Sequence, residues 1–235
     1  MAAQAADGGG GRSVGVVAME GPRTRVLVTL EARTAGGVPR PVRALVDTGG
    51  GAMVIRRQLA EELDLALGAT IGTGEGDLET VEPPQLRANG FELDTDGLAA
   101  YVVDDGDHGN PLRAEGADVN LPASLLRRHR LVLDAPASLV TFGDPRSVEE
   151  RGVRLPVGVH PGTGFVRTEI TVDGRTHGVL LDSGPSCSLV VDHLYRTWQA
   201  DHPDWPAAAA SVGPANMAGI PAEARLPMLR VATMD

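Results

Sequence analysis

The sequence predicts a mostly β fold made of two similar halves with short helices, the second half incomplete. Three observations lead there. A short signature occurs twice, as Ala44-Leu45-Val46-Asp47-Thr48-Gly49-Gly50 and as Val179-Leu180-Leu181-Asp182-Ser183-Gly184-Pro185. In each copy an apolar run ends in Asp, a small hydroxyl residue and Gly. The chain also holds 30 Gly and 17 Pro, which favour turns and short strands over long helices. Finally, strand, turn, strand, Asp-hydroxyl-Gly and helix follow in the same order in both halves, and an internal repeat outranks any single-element reading.

The elements follow from local pattern. Residues 1–20 are Gly-rich at Gly8–Gly11 and read as a flexible lead. Arg25 to Leu30 reads as a strand, Ala35-Gly36-Gly37 as a turn, and Val42 to Val46 as a strand ending at Asp47. Ile55, Leu59 and Leu63 recur at helical spacing, so Arg56 to Leu65 predicts a helix stopped near Gly68. Ile71-Gly72-Thr73-Gly74-Glu75-Gly76 is a Gly-rich hairpin candidate. Leu98 to Val103 is a further strand, Asp104 to Asn110 an acidic loop, and Leu121 to Arg128 a short helix. Leu131–Leu133 and Leu139–Phe142 flank Asp134-Ala135-Pro136-Ala137 as a hairpin. In the second half Phe165 to Val172 is a strand and Asp173-Gly174 a hairpin turn. His177 to Leu181 leads to Asp182, and Val191 to Gln199 is a helix with Val191, Leu194 and Trp198 on one face. Leu229 to Ala232 reads as a last strand. The divisions expected are 1–20 as lead, 21–143 as first lobe, 144–162 as linker and 163–235 as second lobe.

Composition narrows the function classes. The chain has 235 residues, of which 42% are hydrophobic and only 3% aromatic, so its core must be aliphatic. A net charge of −10 argues against nucleic acid as a partner, because phosphate binding needs a basic stripe. The densest basic run, Arg127-Arg128-His129-Arg130, reads as a solvated helix end. All 21 basic residues are Arg, the coding bias of a GC-rich genome. The lone Cys187 excludes an intramolecular disulfide and reads as a small buried residue. No apolar run approaches the roughly 20 residues of a bilayer span. No secretory signal is visible, so the cytoplasm is the default compartment, with a start clipped from a secreted protein as the alternative.

Two carboxylates presented in the same way on similar segments suggest a pair meant to meet. Held close, they cannot both ionise freely; one keeps a proton while the other acts as a base. That arrangement can activate water for amide hydrolysis, with no cofactor. Asp47 and Asp182 are the candidate catalytic residues, and their two roles stay open, since a coupled pair titrates as a unit. Gly49 and Gly184 permit close backbone approach and dihedrals closed to other residues.

Leu45-Val46-Asp47-Thr48-Gly49-Gly50 followed by a helix resembles the retropepsin-like and pepsin-like aspartic peptidases, as does Leu180-Leu181-Asp182-Ser183-Gly184. Asp118-Val119-Asn120-Leu121-Pro122-Ala123-Ser124-Leu125-Leu126, then Leu131 to Pro136, is similar to the closing segment of bacterial members, with Pro122 where they usually carry Gly. The resemblance covers roughly residues 24–143 well and 163–200 less so. It implies acid-protease-like closed β-barrel lobes in two pseudo-symmetric copies, and a peptide or unfolded-protein substrate. It also implies that Thr48 and Ser183 hydrogen-bond across the pair. Gly72, Thr73 and Gly74 would then form a mobile flap over an extended substrate held by main-chain hydrogen bonds. The second half lacks a closing segment, so that lobe is expected to be abbreviated or truncated.

Other readings compete. The module could bind peptides without cleaving them, or a single lobe could act as a homodimer with residues 144–235 as an appendage. Val179 to Gly184 also resembles the Asp strand of subtilisin-like peptidases, but no nucleophile segment accompanies it. Asp104-Asp105-Gly106-Asp107-His108 lacks EF-hand spacing and reads as a solvated loop. The six His show no metal spacing.

Overall fold

Period-two burial builds the first hairpin. In β2 (Leu27–Arg33), Leu27, Val28, Leu30 and Ala32 are buried while Thr29, Glu31 and Arg33 face solvent. It pairs antiparallel with β3 (Pro39–Asp47), whose buried Val42, Ala44, Leu45 and Val46 carry the chain to Asp47. The computed structural model describes residues 12–21, 25–33, 37–73, 76–104, 112–113, 116–149, 152–185, 188–211 and 225–229. The chain is mostly β.

Ahead of that hairpin lies β1 (Val14–Glu20), which corrects the flexible lead expected through residue 20. Val14, Val16 and Val17 are β-branched and suit a strand. They pair along β12, and Met19 and Glu20 also pair with β2. Gly15 is required by packing: a Cβ there would lie 1.9 Å from the Ala88 carbonyl oxygen and 2.8 Å from Phe91 Cβ. Gly15→Ala is therefore expected to destabilise the fold by about 1–3 kcal/mol, read as a lower midpoint in thermal unfolding.

After Asp47 the chain forms β4 (Met53–Arg56) and then α1 (Arg57–Glu62). The helix starts one residue later than its spacing predicts. Val54 and Ile55 are held extended beside β9, with Ile55 wholly buried. The Gly-rich hairpin is present as β5 (Leu67–Thr73) and β6 (Gly76–Val81), with Thr73 opposite Gly76. A small hairpin, β7 (Leu86–Ala88) and β8 (Phe91–Leu93), precedes β9 (Ala100–Val103). The acidic loop expected from Asp104 lies outside the described residues beyond Asp104.

The helix expected from Leu121 to Arg128 is only partly formed. Val119–Pro122 is a strand, β10, and α2 (Ala123–Leu126) follows it. Tertiary pairing overrides the local pattern. β10 is inserted between β3, to which it runs parallel, and β4, and all four of its residues are buried. The hairpin β11 (Arg130–Asp134) and β12 (Leu139–Gly143) forms as predicted. The order β11-β12-β1-β2-β3-β10-β4-β9-β6-β5, with β7 and β8 branching from β2, makes one twelve-stranded sheet. Its pairing path does not close into a barrel among the described residues. The aliphatic core lies here, around Leu30, Met53, Ile55, Leu86, Leu121 and Phe142.

Within the stretch expected to be a linker, Gly158–Val159 forms β13 and pairs with β14 (Val166–Val172). β14 and β15 (Arg175–Leu180) make a hairpin whose turn, Asp173-Gly174, has φ of 50° and 71°. These are the left-handed dihedrals of a type I′ turn. α3 (Asp192–Asp201) lays Trp198 and Leu194 against Val172 and Trp205, while Val191, its N-cap, stays 59% exposed. Ala207–Ser211 and Arg225–Leu229 pair as β16 and β17. The last strand therefore comes earlier than predicted; residues 230–235 lie outside the described set.

β15 is an edge strand among the described residues, whereas β3 is flanked on both sides. Leu180, Leu181, Val157 and Val159 accordingly remain exposed.

Candidate active site

The Asp47 loop forms where β3 leaves the buried sheet. Gly50 N–H donates to the Asp47 carbonyl at 3.2 Å, closing a tight turn, and Gly49 N–H donates to Asp47 Oδ1 at 3.2 Å. The Asp182 loop repeats the second feature. Gly184 N–H donates to Asp182 Oδ1 at 2.9 Å. In each loop the Asp carboxylate is thus anchored by the amide two residues on.

The two loops interlock through their hydroxyls. Thr48 Oγ1 donates to the Leu181 carbonyl at 2.8 Å and accepts from Ser183 N–H at 3.0 Å. Ser183 Oγ donates to the Val46 carbonyl at 2.7 Å and accepts from Thr48 N–H at 3.1 Å. Each hydroxyl uses its donor and one acceptor on the opposite loop, so the four bonds are reciprocal.

This interlock brings the two sequence-predicted carboxylates together. A Cβ on Gly49 would lie 2.2 Å from the Asp182 Cγ, and one on Gly184 would lie 2.6 Å from Asp47 Oδ1. Each carboxylate therefore rests on the glycine of the other loop. Neither glycine has a positive φ, so the demand for Gly here is steric and not one of dihedral freedom.

The pair is not symmetric. Asp47 is half-buried and Asp182 is exposed. Burial raises the proton affinity of Asp47 above the ordinary carboxylate range; the hydrogen bond from Asn120 opposes this and the nearby Asp182 charge adds to it. Asn120 Nδ2 reaches Asp47 Oδ2 at 3.2 Å.

Asn120 and Gly50 were not singled out as site residues from the sequence. A Cβ on Gly50 would lie 2.5 Å from Asp47 Oδ2, so this second glycine seats the same carboxylate. The available signal for Asn120 was a polar residue inside the apolar run Val119-Asn120-Leu121, since a buried amide must find partners. Gly72 and Thr73 lie at the end of β5 beside the β5–β6 turn, and Gly74 falls outside the described residues. Cys187 also falls outside them. No cluster of three or more His, Cys, Asp or Glu able to hold a metal occurs among the described residues. No described helix is long and apolar enough to cross a membrane.

No protein-family model matches the chain. No curated protein matches it either. Among solved structures, a retropepsin-like aspartic protease from Rickettsia conorii is similar to it at 18% identity, over 56% of this chain and 92% of that one, with a TM-score of 0.37.

Proposed function

We propose that this chain is an aspartic-type endopeptidase in which Asp47 and Asp182 activate one water against a peptide carbonyl. The observation that carries the reading is the reciprocal Thr48–Ser183 interlock, which seats each carboxylate on the glycine of the opposite loop.

Asp47 is the acid and Asp182 the base. Burial and the neighbouring charge favour a proton on Asp47, which leaves the solvent-facing Asp182 for the role of base. Asp182 takes a proton from water as the water oxygen bonds to the carbonyl carbon. Asp47 gives its proton to the carbonyl oxygen, forming a gem-diol. That intermediate collapses as its C–N bond breaks: Asp182 gives the proton it took from water to the leaving nitrogen, and one diol proton returns to Asp47, restoring the starting pair. The products are a carboxylic acid and an amine, and the chemistry needs no cofactor. The substrate is an extended peptide or unfolded protein. The β5–β6 hairpin, with Gly72 and Thr73 at the end of β5, serves as its flap by adding main-chain hydrogen bonds. In this reading the two halves are pseudo-symmetric lobes. The interlock lies within one chain, which supports a single-chain site over a homodimer built from two Asp47 loops.

One observation favours a second reading, a peptide-binding module without turnover. Asp182 is exposed and the apolar residues just before it, Leu180 and Leu181, are 40% and 46% exposed, so water is poorly excluded on that side. Incubation with an unfolded protein at acidic to neutral pH separates the two. Cleavage untouched by EDTA and by thiol reagents is the expected result. Peptide binding without cleavage supports the second reading, and cleavage removed by EDTA overturns both.

A further inference from the structure

Asn120 lies on β10, whose register places Asn120 opposite Leu45 and Pro122 opposite Asp47. It is 4% exposed. Its amide is fully engaged: Oδ1 accepts from Val54 N–H at 2.5 Å, and Nδ2 donates to the Ala52 carbonyl at 3.3 Å and to Asp47 Oδ2 at 3.2 Å. The orientation of the amide is dictated by its neighbours. Val54 N–H can only donate and the Ala52 carbonyl can only accept, so Nδ2 must face Asp47.

The consequence for Asp47 is directional. Oδ2 is capped by the Asn120 amide and lies against Gly50, while Oδ1 accepts the Gly49 N–H and lies against Gly184 on the opposite loop. Asp182 receives the Gly184 N–H, but β15 has no described neighbour on its outer edge to supply an equivalent amide. The asymmetry of the pair is thus built by β10.

We propose that Asn120 is a positioning residue for the Asp pair: its amide fixes the plane of the Asp47 carboxyl, holding Oδ2 against β10 and turning Oδ1 toward the Asp182 loop. The same bond also favours the ionised form, and so limits how far burial raises Asp47. The ionisable group facing Asp47 is Asp182; Asn120, Gly49 and Gly50 contribute neutral donors. The catalytic meaning of this device rests on the peptidase reading, but the device itself can be tested without it.

The test is an NMR titration of the full chain, following the Asp47 Cγ and the Asn120 side-chain amide protons. In the wild-type protein the Asn120 amide is expected to shift with the same midpoint as Asp47, and Asp47→Asn should remove that shift. Asn120→Leu, close in size but without a donor, should move the Asp47 midpoint up by about one pH unit, the scale of one charge-assisted hydrogen bond. In a cleavage assay kcat should fall and its pH optimum move upward while KM changes little, a pattern that loss of folded protein does not produce. An Asn120 amide indifferent to pH across the Asp47 titration overturns the proposal, even if Asn120→Leu fails to fold. So does an unmoved Asp47 midpoint in a folded Asn120→Leu. A tracking amide in a protein that cleaves nothing upholds the Asn120 bond and overturns the peptidase reading instead.

Discussion

Asp47→Asn is expected to abolish peptide-bond cleavage, by about 10³-fold or more, while leaving the fold intact. The amide cannot pass a proton to the carbonyl oxygen, so the pair no longer holds one proton and one charge. Its volume is unchanged, and the core behind it, from Val42 to Val46, is untouched. Asp182→Asn should be equally inactive, because the base is then lost. Cleavage of an unfolded protein by purified Asp47→Asn measures this directly, and activity near that of the wild-type protein would end the Asp-pair mechanism.

The same variant reports on stability. The folded-state proton affinity of Asp47 is raised above the ordinary 3.8 by burial. Folded protein therefore binds more protons than unfolded protein between that value and the folded midpoint. The stability contributed is fully present below 3.8 and is lost as pH rises through the folded midpoint. Relative to Asp47→Asn, the wild-type protein should lose stability over that rise, seen in denaturant midpoints measured at a series of pH values. A difference between the two proteins that stays constant with pH would show that Asp47 titrates as it does in an unfolded chain. Activity should follow a bell: the acid limb reports protonation of the base, and the alkaline limb reports loss of the shared proton.

Thr48→Val should uncouple the two loops. The substitution nearly preserves shape but deletes a donor to the Leu181 carbonyl and an acceptor for Ser183 N–H. The exposed Leu181 carbonyl can turn to water, but leaving the partly buried Ser183 N–H unpaired costs about 1–3 kcal/mol. Because the reacting carboxylates must be held within a fraction of an ångström, cleavage should fall about 100-fold even where the variant is folded. Hydrogen exchange should show faster exchange at Ser183, whose N–H loses its acceptor, with protection in β2 and β3 retained. Ser183→Ala should behave alike, and the double variant should cost less than the sum of the two, since both hydroxyls serve one interlock. Strict additivity would mean that the loops dock independently of these bonds.

What was legible in the sequence was local. The Asp-hydroxyl-Gly signature could be read because an apolar strand run must stop where the chain turns outward. Asp173-Gly174 could be read because only residues tolerant of left-handed dihedrals make that turn. The β11–β12 hairpin was legible for the same kind of reason. β1 was not, because Gly8–Gly11 dominates the composition of the start and the partner of Val14–Ala18 is β12, far along the chain. β10 was missed as a strand, because four residues are too few to show a period.

The sequence by itself determined the mostly β character, the aliphatic core and the identity of the two candidate carboxylates, all consequences of residue type and short-range spacing. Tertiary structure alone decided which groups touch those carboxylates. Asn120 reaches Asp47 because β10 inserts between β3 and β4, and its other partners, Ala52 and Val54, lie on the β4 side of that insertion. The unequal burial of Asp47 and Asp182 has the same origin: β3 is enclosed by strands on both sides, and β15 is an edge among the described residues. Such pairings join residues distant in sequence and depend on which faces remain to be covered once the local elements have formed, so no window of the chain carries them.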